Sequence, residues 1–191
     1  ISRDFINTNG VRQHVVANVT KHKRTDLFKN KYDGSLRDKL LGNLSDLNCS
    51  MNKGLVEMFD STIGATTVLM PYGGLYQLTE TQCSVQKIPL VKGNTKTCSI
   101  MSYGYDPYLT EMSPYHGSMY AVVDSIAKVV AVGGTYQGIH FSFQEFFERL
   151  NLDSDKWGNV VEALLGTIRI QKEFGLAAIG GKDSMSGTFK D

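Results

Sequence analysis

The order of apolar runs in this chain predicts an α+β fold, a mixed β-sheet backed by helices. Three observations point there. Residues 66–70, 83–90 and 97–105 are β-branched or alternating stretches, punctuated by Pro71, Gly73, Gly74 and Pro89. A long stretch beginning at Ser113-Pro114 then shows helical rather than alternating spacing. A last apolar run, Leu176-Ala177-Ala178-Ile179, leads into a glycine-rich polar segment, the place where ligand sites often lie in folds that mix strands and helices.

Before residue 35 the pattern is irregular. Residues 11–19 read as a strand through Val15, Val16, Ala17 and Val19, and Lys21-His22-Lys23-Arg24 is a basic patch, either a solvated loop or a weak phosphate contact. Residues 1–34 are expected to be a leading segment or linker, and residues 35–191 one α+β domain. Within it, Leu36, Leu40 and Leu41 give residues 35–44 a helical spacing, and Leu55, Val56 and Met58 make residues 52–59 a short helix or turn. The three strand-like stretches follow, and residues 103–108 form a turn-rich aromatic loop. Ser113 is an N-cap with Pro114 at the first helical position. Met119, Val122, Val123, Ile126, Val129 and Val130 line one face, Asp124 and Lys128 lie on the opposite one, and Gly133-Gly134 closes the helix. Ile139-His140-Phe141 reads as a short strand. Ser142 with Glu145 makes a capping box for a helix through Leu150. Residues 157–174 are the last helix, with Val160, Val161, Leu164, Leu165, Ile168 and Phe174 apolar and Gly175 as its C-cap.

Composition narrows the function. The chain has 191 residues, 41% of them hydrophobic, enough for a substantial core. A formal net charge of +1 gives no electrostatic drive toward nucleic acid or acidic membranes, and neither partner is expected. No apolar run reaches the length of about eighteen residues that spans a bilayer. No signal-peptide pattern opens the sequence. Cys49, Cys83 and Cys98 fit no zinc spacing, and reduced thiols in a cytoplasmic protein are the simplest expectation.

The segment Gly180-Gly181-Lys182-Asp183-Ser184-Met185-Ser186-Gly187-Thr188 concentrates the chemistry. Two glycines permit close backbone approach to a ligand, and a cation, a carboxylate and a hydroxyl follow within three residues. The bland alternative is a strand ending in a glycine turn. It is not a P-loop: Gly175 precedes Gly181 by one position too many, and Asp183 follows Lys182 where Ser or Thr is required. Asp124 and Lys128, four residues apart, are either an exposed ion pair worth about 0.3–0.5 kcal/mol or part of a site. His116, in the first turn of the long helix, either caps it or meets an anion there. His14, His22 and His140 have no mutual spacing that makes a metal site, and no Ser/His/Asp or Cys/His set is visible.

Several stretches together resemble phosphoribosylformylglycinamidine synthases, the ATP-dependent amidotransferases of purine biosynthesis. They are Asp46-Leu47-Asn48, Phe59-Asp60-Ser61-Thr62-Ile63-Gly64-Ala65, Thr67-Val68-Leu69-Met70-Pro71-Tyr72-Gly73-Gly74, Ser113-Pro114-Tyr115-His116-Gly117, Phe143-Gln144-Glu145-Phe146-Phe147-Glu148-Arg149-Leu150 and the 179–188 segment. They fall in the family's order from about Asp46 onward, and the long single-chain form looks most similar. The resemblance implies a truncated N-domain of the aminoimidazole-ribonucleotide-synthetase type, cut from the second of two related synthetase halves. It implies a cytoplasmic ATP- and glutamine-dependent C–N ligase that turns formylglycinamide ribonucleotide into formylglycinamidine ribonucleotide. ATP/ADP and Mg²⁺ would be its cofactors. The other synthetase half, the glutaminase domain and a small-molecule substrate would be its partners. The excised piece is expected to be inactive alone and to self-associate through the apolar edge that excision leaves.

For the site, the resemblance implies a nucleotide or substrate pocket lined by Gly181, Lys182, Asp183 and Ser184, with Asp124, Lys128 and His116 as further contacts and no catalytic residue. Other branches carry Asp, Glu and Asn where Gln82, Asp124 and Lys128 align here, and those residues help to hold Mg²⁺. A glutamine and a lysine in place of Asp and Asn remove a carboxylate and add an ammonium, so no metal is expected in this piece. Ser61 stands where the family's Asp-Arg-Ser/Thr-Val-Gly element has Arg, losing a guanidinium suited to phosphate. A catalytically silent scaffold with a degenerate pocket is the alternative. A selenophosphate- or thiamine-phosphate-kinase-like enzyme is disfavoured by the Ser-Pro-Tyr-His-Gly and Phe-Gln-Glu-Phe-Phe-Glu-Arg-Leu stretches.

Overall fold

A computed structural model describes residues 1–7, 14–19, 29 and 31–189. The basic patch at residues 21–24 and the first part of the 11–19 stretch lie outside the described residues. Residues 14–19 carry no strand. The chain divides into two compact units. One holds the described residues of Ile1–Lys23 and Tyr136–Asp191 together with Gly104–Asp124, and the other those of Arg24–Tyr103 together with Ser125–Thr135.

In the second unit, helix α2 (Leu36–Leu44) follows a short helix α1 (Arg3–Asn7) that belongs to the first. Ser35 caps α2 through a reciprocal capping box with Asp38, as the local sequence requires. Helix α3 (Lys53–Val56) is a single turn. The 66–70 stretch is not a strand. It meets its neighbour through one bridge, Thr67 to Gln86, with Val68 N–H donating to Val85 O at 2.9 Å and Lys87 N–H donating to Thr66 O at 2.8 Å. Left-handed backbone at Gly64 and Ala65 turns the chain just before it and shortens the straight run. Strands β1 (Tyr72–Gly73) and β2 (Thr79–Glu80) form a small antiparallel pair, and β3 (Cys83–Lys87) pairs antiparallel with β4 (Cys98–Ser102). Tyr72, Val85, Ile126 and Val129 are buried here.

Beyond α1, the first unit continues with helix α4 (Pro107–Met112), which takes the last two residues of the expected aromatic loop. Asp106 caps it by accepting from Leu109 N–H, and Pro107 sits at its start. Helix α5 (Pro114–Ala131) is the long helix expected. Its residues through Asp124 group with the first unit and the rest with the second. Val122, Ile126 and Val129 are buried, whereas Val123 and Val130 are exposed, so its buried stripe is narrower than the apolar pattern.

Strand β5 (His140–Phe147), helix α6 (Ser154–Phe174) and strand β6 (Ala177–Met185) form a β-α-β unit whose strands are parallel. β5 overturns the helix expected from Ser142 to Leu150. The capping signal is present, but Phe141, Phe143 and Phe147 alternate along it, and that period suits pairing with β6. β6 overturns the glycine turn: residues 180–185 continue the strand instead of ending it. The pairing skips Ile179, passing from Phe141↔Ala178 to Ser142↔Gly180, a bulge that absorbs one residue.

α6 has its expected stop, with Gly175 left-handed at its C-cap, but it begins at Ser154, before the expected Trp157, because Asp153 caps it by accepting from the Asp155 and Lys156 N–H groups. Its buried side is unexpected: Gly158, Val160, Glu162, Ala163, Gly166, Thr167 and Ile170 turn inward, while Leu164, Leu165 and Ile168 are exposed. Small residues win this face because a neighbour comes so close. A Cβ at Gly166 would collide with Ser118 Oγ and the Tyr115 carbonyl of α5. The strand pairs are thus both parallel and antiparallel, with helices beside them: an α+β protein built on three two-stranded ladders among the described residues. No helix among those residues is long and apolar enough to cross a membrane.

Candidate functional site

The glycine segment lies on β6. Gly181 is opposite Phe143, and a Cβ there would run into the Phe143 carbonyl oxygen, so the glycine allows the strands to approach. Alternation along the strand puts Lys182 and Ser184 on one face, across from Gln144 and Phe146, and Gly181 and Asp183 on the other. Lys182 and Asp183 are exposed and Ser184 is half-buried. Asp183 is directly opposite Glu145, which the sequence placed only in a capping box. Burial first, and the charge of Asp183 second, push the Glu145 carboxyl up to about 7.

His116 is exposed in the first turn of α5. Its Nδ1 lies 3.0 Å from Ser113 Oγ, and its backbone N–H donates to the same oxygen at 3.4 Å. Ser113 is buried, so this cap is built into the core and His116 is held by it. Asp124, one turn before Lys128, is half-buried. Lys128 is committed locally: its ammonium donates to Tyr103 O at 3.0 Å and stands 4.7 Å from the centre of the Tyr103 ring.

Gln82 lies at the rim of an open groove of about 500 Å³ in the second unit, lined also by Ser61, Cys83, Gln86, Met101, Ser102 and Tyr103. Much of its polar wall is occupied within the protein. Thr67 Oγ1 donates to Ser61 O at 2.5 Å, Thr66 Oγ1 donates to Gln86 Oε1 at 3.1 Å, Ser102 Oγ donates to Ser125 O at 2.7 Å, and Cys83 Sγ donates to Lys128 O at 3.1 Å. Asp60, before Ser61, accepts from both the backbone N–H and the hydroxyl of Thr62, which holds its carboxyl below the usual range and pins the turn at the groove's edge. The expected site residues therefore fall apart: the β6 segment, His116 in the first turn of α5, Asp124 and Lys128 further along α5, and Gln82 in the groove. Among the described residues no three of His, Cys, Asp or Glu gather as a metal site.

These strand pairs and helices define an α+β protein. The fold matches "Structure of PurLQS from Thermotoga maritima" with a TM-score of 0.62 and 13% identity, over 93% of this chain and 25% of that one. The chain accordingly has a fold of the phosphoribosylformylglycinamidine synthase type. In sequence it is 24% identical over 160 residues to phosphoribosylformylglycinamidine synthase subunit PurL of Thermoplasma volcanium, covering 82% of this chain and 20% of the relative. No protein-family model matches. The chain thus spans about a fifth of the curated relative and a quarter of the solved chain.

Proposed function

We propose that this chain is part of a phosphoribosylformylglycinamidine synthase, from the second synthetase half of a long single-chain enzyme. One observation carries the reading: most of the chain matches such a protein in sequence, and nearly all of it in fold. The parent would be an ATP-dependent ligase of purine biosynthesis that takes glutamine as amido donor. This piece would supply one wall of the synthetase cleft and an interface to the other half, and would be inactive by itself. The test is to purify the polypeptide that contains this chain and assay glutamine- and ATP-dependent amidation of formylglycinamide ribonucleotide. The expected result is conversion by the parent and none by the 191-residue chain. A parent polypeptide that leaves this substrate untouched overturns the reading.

Within that enzyme the β6 segment is the ligand-facing element we propose, with Lys182 and Ser184 toward a phosphate-bearing small molecule. Gln82, Asp124 and Lys128 make a poor Mg²⁺ set: one carboxylate, one amide and an ammonium already engaged by Tyr103. The internal hydrogen bonds of Ser102, Cys83, Thr67 and Gln86 favour a second reading, in which the groove side is scaffold. Calorimetric titration of the parent with ADP, with and without Mg²⁺, separates the two. Extra nucleotide lost in Lys182→Ala supports a binding half, and a single nucleotide bound by wild type and variant alike supports a scaffold.

A further inference from the structure

Two buried side-chain oxygens among the described residues have no hydrogen-bond partner, the Tyr72 hydroxyl and Glu145 Oε2. The second stands against another acid. Glu145 and Asp183 are opposed Cα partners across the parallel β5–β6 ladder, so their side chains share a face. Along β5 that face carries Phe143 and Phe147, and it is the less exposed side of the strand. Across the ladder it carries Gly181, Asp183 and Met185. Glu145 is thus a carboxyl set among aromatic rings, with a second carboxyl as its charged neighbour on that face.

We infer that Glu145 keeps its own proton opposite the Asp183 carboxylate, and that losing it loosens β6, with the 180–184 segment it carries, from β5. The charge of Asp183 opposes ionisation of Glu145 across the ladder, and a buried oxygen without a partner makes that charge costlier still. Other charged groups lie on the same and neighbouring elements. Lys182 lies on the opposite face, across from Gln144. Glu148 is paired with Lys156 at 2.8 Å, and on α6 Arg169 holds Glu173 at 2.7 Å. Glu162 is buried on α6, and on α5 His116 is tied to Ser113.

The sign follows from the raised carboxyl. The folded chain holds this proton more tightly than the unfolded chain does. The stabilisation is full below the ordinary carboxyl value of 4.5 and is lost as pH rises through about 7. The inference stands on the register and the buried oxygen, and it does not depend on the function proposed above.

Carboxyl ¹³C NMR of the 191-residue chain tests the pair directly. Glu145 should titrate with a midpoint near 7, and Asp183→Asn should move that midpoint down toward the ordinary value. Amide hydrogen exchange along β6, corrected for the intrinsic rate, tests the consequence. Opening should grow by as much as about tenfold per pH unit between 5 and 7, and Glu145→Gln, which keeps the shape and removes the charge, should abolish that slope. An ordinary carboxyl midpoint in the wild-type chain overturns the inference, and no variant is needed to see it. So does a midpoint unmoved by Asp183→Asn, or an exchange slope that survives Glu145→Gln.

Discussion

Gly54 and Gly166 both sit inside helices, and they should answer oppositely to the same change. Nothing lies within 4 Å of a Cβ built on Gly54, so Gly54→Ala should stabilise by about 0.5–1 kcal/mol through the unfolded chain's lost freedom. At Gly166 the same methyl meets a serine hydroxyl and a backbone carbonyl of α5. Forcing α5 away costs about 1–3 kcal/mol, which outweighs a propensity gain of about 1 kcal/mol, so Gly166→Ala should lower the urea midpoint. At this scale the sequence was informative wherever the relevant contact is local. Ser35 with Asp38 and Gly175 after α6 could be read from neighbours along the chain. The partner of Asp183 could not be, because Glu145 reaches it only through strand register. Nor could the engagement of Lys128, whose acceptor is a carbonyl brought in from another strand's end.

Between elements, β5 is the instructive case. A Ser-x-x-Glu signal argued for a helix, and alternating phenylalanines argued for a strand. The second won because β6 offers a parallel ladder that satisfies the backbone of residues 140–147, while a helix there would leave β6 unpaired. The ladder in turn requires Gly181. Gly181→Val should separate the strands, seen as lost exchange protection in β6 with α6 largely retained. Protection unchanged in β6 would show that the close approach of Gly181 and Phe143 is not needed. On α5 the burial is ordinary: Val122 is 2% exposed, and Val122→Ala should cost about 2 kcal/mol in urea unfolding, transfer and cavity together.

Across the whole molecule the notable quantity is exposed apolar surface. Leu47 and Leu75 are each 88% exposed, and Leu36, Phe59, Ile63 and Tyr76 are exposed nearby in sequence. Ile179 and Phe146 add to it on the β5–β6 ladder. Surfaces of this kind mark places that meet other protein. The isolated chain should therefore show a sedimentation coefficient that rises with concentration, and a strictly monomeric profile up to high concentration would count against such contacts.

The amino-acid order alone determined the α+β class, the long helix from Pro114, the Gly175 stop of α6, the β3 and β4 strands and the stretches that carry the family likeness. Each of these depends on spacing and capping among residues close along the chain. Tertiary structure alone decided that residues 142–147 are strand, that the glycine segment is strand rather than turn, and that α6 buries its small side. It also decided that Glu145 faces Asp183. The reason is common to all four: each is set by which backbone or side chain arrives from a distant part of the sequence, and local propensity yields when that partner offers hydrogen bonds or leaves room only for hydrogen.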